Sequence, residues 1–480
     1  MVHGDEEDEV IIAIGDVAED EDACGLRHRF DDKDAGHDRK IGKMASEEGF
    51  VGGDVFDAQD AFGIHFEDSI DKQHGVTMRQ DAPYLINIQI WHGAPGIITT
   101  VHETLSWAER AMPQFKRQLE AMVKVESPSD DKAAVDRFGT LLADTVSGEA
   151  EVKLVSGGNK WGKHLLCRFG SKKRNARQVL VLAHGDTVWP MGTLRGMPFR
   201  EAEGRLWGPG VLDMKGGICV FLFAMRAARE LGLPLPDSIL LQVNSDEEVG
   251  SPSSRPLTEE NATKSEAVLV MEPGTGLEGK VKTERKGVGG FLVTVKGKAS
   301  HAGVDFERGA SAVVELARQI ERIGGWTDLE RGVTVNPGVI GGGTKSNVVA
   351  AEAWAEVDFR VRKLSDARRL ERRFAGLRAV DYRCSVEVSG GLNRPPMERS
   401  AGGRKLFGMA IAAGAELGLG VEESATGGGS DGNFTAALGV PTLDGLGCAG
   451  EGAHAQNESI VLDLVPARIA LVAGLLGRLC

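Results

Sequence analysis

The sequence predicts an α/β protein, a helix-flanked and mainly parallel sheet with an α+β ferredoxin-like domain inserted into it. Three observations carry this. Three short apolar runs, QVLVLAHGD (178–186), SILLQVNSDEE (238–248) and AVLVMEPG (267–274), each end in polar residues. That is the pattern of strands buried on both faces. A helical stretch, GICVFLFAMRAARELGL (217–233), lies between the first two, and strands alternating with helices build parallel sheets. From about Gly287 to Arg394 the pattern becomes β-α-β-β-α-β, the order of a ferredoxin-like unit.

The elements follow in chain order. From Thr104, TLSWAERAMPQFKRQLEAMVKV carries apolar residues at helical spacing. Ser127, Pro128, Ser129 and Asp130 are good starters for a second helix, ending near Val146. EVKLVSG and HLLCRFG read as strands joined by a polar turn. Inside the insert, GVGGFLVTVKGKASHAG, GVTVNPGVIGGG, AAEAWAEVDFRVRK and YRCSVEVSGG read as strands. SAVVELARQIERIGG and DARRLERRFAGL read as its helices. KLFGMAIAAGAELGL (405–419) and the C-terminal stretch return to helix.

At 480 residues, two or three domains are expected. The net charge of −14 is unevenly placed. Residues 1–90 hold 23 acidic and 8 basic side chains, and the remainder holds 47 and 48. The body is near neutral, and no basic stripe suggests nucleic acid. Residues 1–97 lack helical periodicity and read as an acidic extension, either disordered or spurious through a misassigned start. Within residues 1–90, five histidines (His3, His28, His37, His65, His74) are irregularly spaced and read as solvent-facing. Six cysteines without a CxxC pair read as reduced thiols, mostly buried. No run of 18 apolar residues predicts a membrane span. The acidic start MVHGDEEDEV does not resemble a secretion signal, so a cytoplasmic location is expected.

Five metal-compatible side chains lie in short contexts that suit ligands. They are His184 in LAHGDTV, Asp213 in GPGVLDMKGG, Glu248 in NSDEEVGS, Glu272 in VMEPG and His454 in GEGAHAQ. Two imidazoles and three carboxylates suit a pair of zinc ions, with cobalt or manganese also compatible. His184, Glu248 and Glu272 sit at the ends of expected strands, where parallel sheets bind ligands.

These contexts, with GKASHAG, GGGSDG and GAHAQNE in the same order, resemble the M20 family of metallopeptidases, and within it the glutamate carboxypeptidase (carboxypeptidase G) branch. The resemblance runs from about Trp107 to the C-terminus. It implies catalytic segments 98–286 and 395–480, and a lid or dimerisation domain at 287–394 that makes a homodimer. It also implies that Asp213 bridges two metals, with His184 and Glu272 on one and Glu248 and His454 on the other. A cis peptide is implied between Asp213 and Met214.

Asp186, two residues after His184, is placed to take the other imidazole N–H and fix the tautomer. Two adjacent glutamates cannot both project the same way from a strand end. Glu248 is therefore read as ligand and Glu247 as general base, taking a proton from the attacking water and returning it to the leaving amine. By resemblance, His301 reaches across a dimer to steady the oxyanion, and Asn347 and Arg360 recognise substrate. The Arg360 fork suits a carboxylate, although a plain surface strand arginine is the alternative. Lys280 is a weaker carboxylate-binding candidate. Gly428 and Gly429 in TGGGSDG let backbone approach substrate, or form a flexible loop. GVIGGGTK lacks the spacing of a phosphate loop. Trp189, Trp207 and Trp354 read as packing, Cys219 as core, and His102 and His164 as ordinary.

The expected function is zinc-dependent hydrolysis of the amide bond to a C-terminal amino acid, glutamate among the candidates, in a small peptide or N-acyl amino acid. The alternative is an amino-acid deacylase of acetylornithine or succinyl-diaminopimelate type. A metal-holding but inactive interaction protein is the alternative of another class, and Glu247 speaks against it.

Overall fold

The structure is a computed structural model that describes residues 95–171 and 177–480, the first eight by backbone alone. The expectations for residues 1–94, with Cys24 and the five histidines named above, lie outside the described residues. The side chain of His102 does too.

Helix α1 spans Pro95–Lys124, starting earlier than the periodicity from Thr104 indicates. Proline at the first helical position needs no amide partner and has the φ a helix requires. Trp107, Ala108, Ala111, Phe115, Leu119, Met122 and Val123 are buried, a stripe at helical spacing. Helix α2, Lys132–Val146, is capped by Asp131, whose side chain accepts from the Ala134 amide at 2.9 Å. The two serines expected to start it do other work. Ser127 Oγ donates to the Gly185 carbonyl at 2.7 Å, and Ser129 Oγ donates to Asp186 Oδ2 at 2.7 Å.

Strands β1 (Glu151–Val155), β2 (His164–Gly170) and β3 (Gln178–His184) follow. Two three-residue strands, β4 (Arg200–Ala202) and β5 (Arg205–Trp207), pair as a hairpin. Then come helix α3 (Gly216–Glu230), strand β6 (Ser238–Asn244), helix α4 (Arg255–Ala262), strand β7 (Ala267–Val270) and strand β8 (Val281–Arg285). The insert holds β9 (Gly287–Lys296), α5 (Ala312–Gly324), β10 (Thr334–Gly342), β11 (Glu352–Val361), α6 (Leu364–Ala375) and β12 (Ser385–Arg394). The chain ends with α7 (Ala401–Ala415), β13 (Glu423–Thr426), α8 (Gly432–Ala437), β14 (Thr442–Leu443), β15 (Gly450–Glu451), β16 (Ser459–Val461) and α9 (Val465–Gly477).

The main sheet has the order β1-β2-β6-β3-β7-β14. Its four strands from β6 to β14 run parallel, and β2 and β1 add antiparallel strands at one edge. Every residue of β3, β6 and β7 is buried. Val179, Val181 and Ala183 join a core with α1, α3 and α9. Leu180 and Leu182 alternate to the other face, with Ala262 of α4. Phe115 meets Phe223 edge-on at 5.4 Å, which seats α1 on α3. A small sheet, β15-β16-β5-β4, lies beside this body. Its strands of two or three residues are too short to show a sequence period.

The insert forms an antiparallel sheet, β10-β11-β9-β12. It has its own core, with Leu316 and Ile323 from α5 and Ala367, Leu370 and Phe374 from α6. Phe291 stacks on Phe374 at 3.9 Å and on Phe359 at 5.5 Å. Among the described residues, no helix is long and apolar enough to cross a membrane.

Truncating Phe374 to alanine should open a cavity under the insert sheet and cost about 3–5 kcal/mol, read by urea denaturation. A loss under about 1 kcal/mol would contradict this packing.

Candidate metal centre

The main sheet delivers its strand ends to one place. His184 is the last residue of β3. Glu247 and Glu248 begin a short turn of helix three residues after β6. Glu272 lies two residues after β7. Asp213 comes from the tight turn Val211–Lys215 that leads into α3, and its peptide to Met214 is cis. His454 comes from the loop between β15 and β16, at a φ of 63°.

These side chains meet. His184 Nε2 lies 3.1 Å from Asp213 Oδ1 and 3.4 Å from Glu272 Oε1. His454 Nε2 lies 3.3 Å from Asp213 Oδ2 and 3.1 Å from Glu248 Oε2. Asp213 thus shows a different oxygen to each imidazole. His184 is 2% exposed and His454 51%, so the cluster is closed on the sheet side and open on the other.

The charge balance explains the acidities. Burial presses the His184 imidazole down, but Asp213 and Glu272, with Glu247 and Asp186 behind them, more than offset it. Its pKa stands well above the usual histidine value. Hydrogen bonds to Asp213 and Glu248 lift His454 to about 10, against a smaller effect of burial. Burial alone would raise Asp213, yet the two imidazoles hold it well below the usual carboxylate range. Burial pushes Glu248 up to about 7. It drives Glu247 well above its usual value, with Arg394 opposing. The common cause is an excess of carboxylates in a space short of water, which favours cations.

The donor set fits a pair of divalent cations. His184 Nδ1 lies 2.9 Å from the Asp186 carbonyl. Donation there leaves Nε2 as the atom free to bind metal. Glu248 Oε1 is buried without a hydrogen-bond partner among the described residues, which is costly unless a cation or water meets it.

Asp186 works differently from its expected role. Its carbonyl, not its carboxylate, is the nearer acceptor for His184; the carboxylate oxygen Oδ1 is 3.6 Å from Nδ1. The carboxylate instead accepts from Ser129 Oγ, the Glu247 amide at 3.2 Å and the Glu248 amide at 3.2 Å. It therefore ties the β3 exit to the β6 exit.

Among the described residues, no hydrogen bond or ion pair joins Lys280, Arg360, His301 or Asn347 to this cluster. Lys280 is paired with Glu422 at the surface. Arg360 makes a bidentate pair with Asp358, two residues earlier on β11, at 2.9 and 2.9 Å. The fork is matched to a carboxylate, but to one of its own strand. His301 and Asn347 lie side by side in the insert, both exposed, with the Ala302 amide donating to the Asn347 carbonyl at 3.0 Å. Gly428 and Gly429 are closer in. Their carbonyls accept from Arg285 Nη1 at 3.3 and 3.1 Å.

Sequence reading missed the buried charges that hold the site. Arg285, at the end of β8, reaches Glu272 Oε2 at 3.3 Å and pairs with Asp444 through two bonds, at 2.7 and 2.9 Å. Arg394, the last residue of β12, donates to Glu247 Oε1 at 2.9 Å and to Asp431 Oδ1 at 2.7 Å. Glu458 accepts from four donors, one of them Trp189 Nε1 at 2.7 Å, so Trp189 does more than pack. The only signals were an arginine at each of two strand ends and an acid four residues after His454. His164 is buried between Ser245 and Ser253. Cys167, Cys219, Cys384 and Cys448 are free and buried, and Cys480 is free and exposed.

This fold, with helices on both faces of its sheet, and this cluster are those of a metal-dependent hydrolase. Residues 180–478 match peptidase family M20/M25/M40, well over half of the chain. The chain belongs to that family and is a hydrolase of it. It is 32% identical over 378 residues to carboxypeptidase G2 of Pseudomonas sp. strain RS-16, covering 76% of this chain and 89% of that one. It is 28% identical over 373 residues to a succinyl-diaminopimelate desuccinylase of Acidovorax ebreus, covering 70% and 90%. Among solved structures, aminopeptidase PepT of Bacillus cereus shares the fold with a TM-score of 0.66 at 21% identity, over 77% of this chain and 98% of that one. A dinuclear metal-binding M20 peptidase of Bacillus subtilis does so with a TM-score of 0.57 at 12% identity, over 77% and 98%.

Asp186→Asn keeps the shape but turns an amide group toward one set of its donors. It should lower the stability of the metal-depleted protein by about 1–3 kcal/mol in a urea titration. An unchanged midpoint and slope would show that the carboxylate does not join the two strand exits.

Proposed function

We propose that this chain is a two-zinc exopeptidase that hydrolyses the amide bond to a C-terminal amino acid, glutamate among the candidates, in a small peptide or N-acyl amino acid. The observation that carries this reading is Asp213 facing His184 with one oxygen and His454 with the other, flanked by Glu272 and Glu248. His184, Asp213 and Glu272 would hold one ion. Asp213, Glu248 and His454 would hold the second. Bound there, zinc supplies a polarised amide carbonyl and water of lowered pKa.

Glu247 is the proposed general base. Arg394 fixes its Oε1, and its Oε2 has no hydrogen-bond partner among the described residues. One oxygen is therefore held, and the other is available to take a proton from the attacking water and pass it to the leaving amine. The likeness to carboxypeptidase G2 favours peptidase chemistry. The second reading, N-acyl amino-acid deacylation, is favoured by the likeness to a desuccinylase over 90% of that enzyme. Both break the same kind of bond.

Segments 98–286 and 395–480 are proposed as the catalytic domain, and 287–394 as a lid that pairs two copies. The insert exposes Val304, Phe306, Val314, Ile340 and Tyr382. A groove of about 550 Å³ opens between Phe306, Val314 and the Gly342–Ser346 loop. Exposed apolar surface of this kind marks association. Pairing there would bring the exposed His301 and Asn347 against a second copy.

Glu247→Gln keeps the Arg394 contact but cannot accept a proton. It should lower kcat on N-acyl glutamates and dipeptides by about 10²–10⁴-fold, with zinc content unchanged by elemental analysis. Parental turnover would remove Glu247 from the chemistry. Sedimentation at micromolar concentration should give a dimer, and Phe306→Asp with Ile340→Asp should give monomers. A parental monomer would remove the partner role of His301.

A further inference from the structure

Glu458 is a buried acid with no part in the chemistry described so far. It is fully buried, and three of the four donors to its carboxylate come from the turn that carries Asp213. Oε1 accepts from the Leu212 amide at 2.9 Å and the Asp213 amide at 3.0 Å. Oε2 accepts from the Gly210 amide at 2.9 Å and Trp189 Nε1 at 2.7 Å. The Glu458 carbonyl also accepts from the Gly208 amide at 3.3 Å. Four donors on two oxygens can be satisfied only by an ionised carboxylate, which has acceptors and no proton to place.

The turn needs such an anchor. Gly210 has a φ of 72°, and Asp213 and Met214 leave helical geometry within a five-residue turn. Its amides at Gly210, Leu212 and Asp213 would otherwise be buried donors without partners, each costly. The anchor comes from the segment that also bears His454. Ala455 and Glu458 close short backbone turns onto Gly452 and Ala455, at 2.8 and 2.9 Å. One stretch, 452–458, therefore presents an imidazole to Asp213 Oδ2 and a carboxylate to the Asp213 amide.

We propose that Glu458 is a positioning residue that sets the Asp213 carboxylate between His184 and His454, and so sets the affinity of the centre for both ions. It touches neither ion nor substrate. The inference rests on the two-zinc reading of the cluster.

The test is Glu458→Gln. Whichever way the amide turns, its NH₂ faces one pair of donors, and that half of the anchor is lost. Metal-depleted parent and variant are titrated with zinc against a competing chelator, and the melting of each metal-depleted protein is measured alongside. The expected result is roughly 10–100-fold weaker zinc binding, affecting both ions because Asp213 serves both. Lower melting with parental zinc affinity would mark a merely structural residue and overturn the proposal. If Glu458→Gln does not fold, Glu458→Asp, which keeps the charge and withdraws it from the turn, carries the same two readings. A parent that takes up no zinc would remove the function proposed above together with this inference. A parent that binds zinc, with a variant that binds it equally well, would remove this inference alone.

Discussion

The constraint on which the structure depends is the cost of gathering acids away from water. Glu247, Glu248, Glu272 and Asp186 come together at the exits of buried strands, and Asp213 joins them from the turn before α3. Carboxylates in such a place repel one another and lose hydration, and only cations or many donors make the arrangement stable. The protein uses both. Asp186 is satisfied by two amides and a serine hydroxyl, and Glu458 by four donors. Arg285 and Arg394 stand behind Glu272 and Glu247. The oxygens left facing inward are those of Asp213, Glu248 and Glu272, with the two imidazoles. The remaining negative charge is what two divalent ions would neutralise.

The strands make this gathering possible. β3, β6 and β7 are buried along their whole length, so their register is fixed by packing on both faces. Their ends therefore arrive at fixed points, and loops only a few residues long carry His184, Glu247, Glu248 and Glu272 from them. Asp213 and His454 come from outside that framework. They need their own anchor, and Glu458 lies where the two segments meet. The junction with the insert is held in a similar way. Arg394 ends β12 and reaches Glu247 and Asp431, so a single side chain joins the second sheet to the proposed base.

The parts legible in the sequence were those with a period or a local context. Continuous apolar runs gave the buried strands. The β-α-β-β-α-β order gave the insert, and five short motifs gave the side chains that converge. Four features were not legible, each for a physical reason. The small sheet β15-β16-β5-β4 has strands too short for alternation to appear. Ser127 and Ser129 have the chemistry of helix caps, and nothing local shows that they face Asp186. Arg360 and Lys280 have the right charge for a substrate carboxylate, but charge type does not reveal that Asp358 and Glu422 already occupy them. Arg285, Arg394 and Glu458 act across long sequence separations, where a buried ion pair leaves no trace in the local pattern.

The central claim is that Asp213 stands between two ions. An anomalous difference map at the zinc absorption edge, from crystals grown with zinc, examines it directly. Two peaks should flank Asp213, one beside His184 and Glu272 and one beside His454 and Glu248. A single peak, or zinc bound away from Asp213, would contradict it.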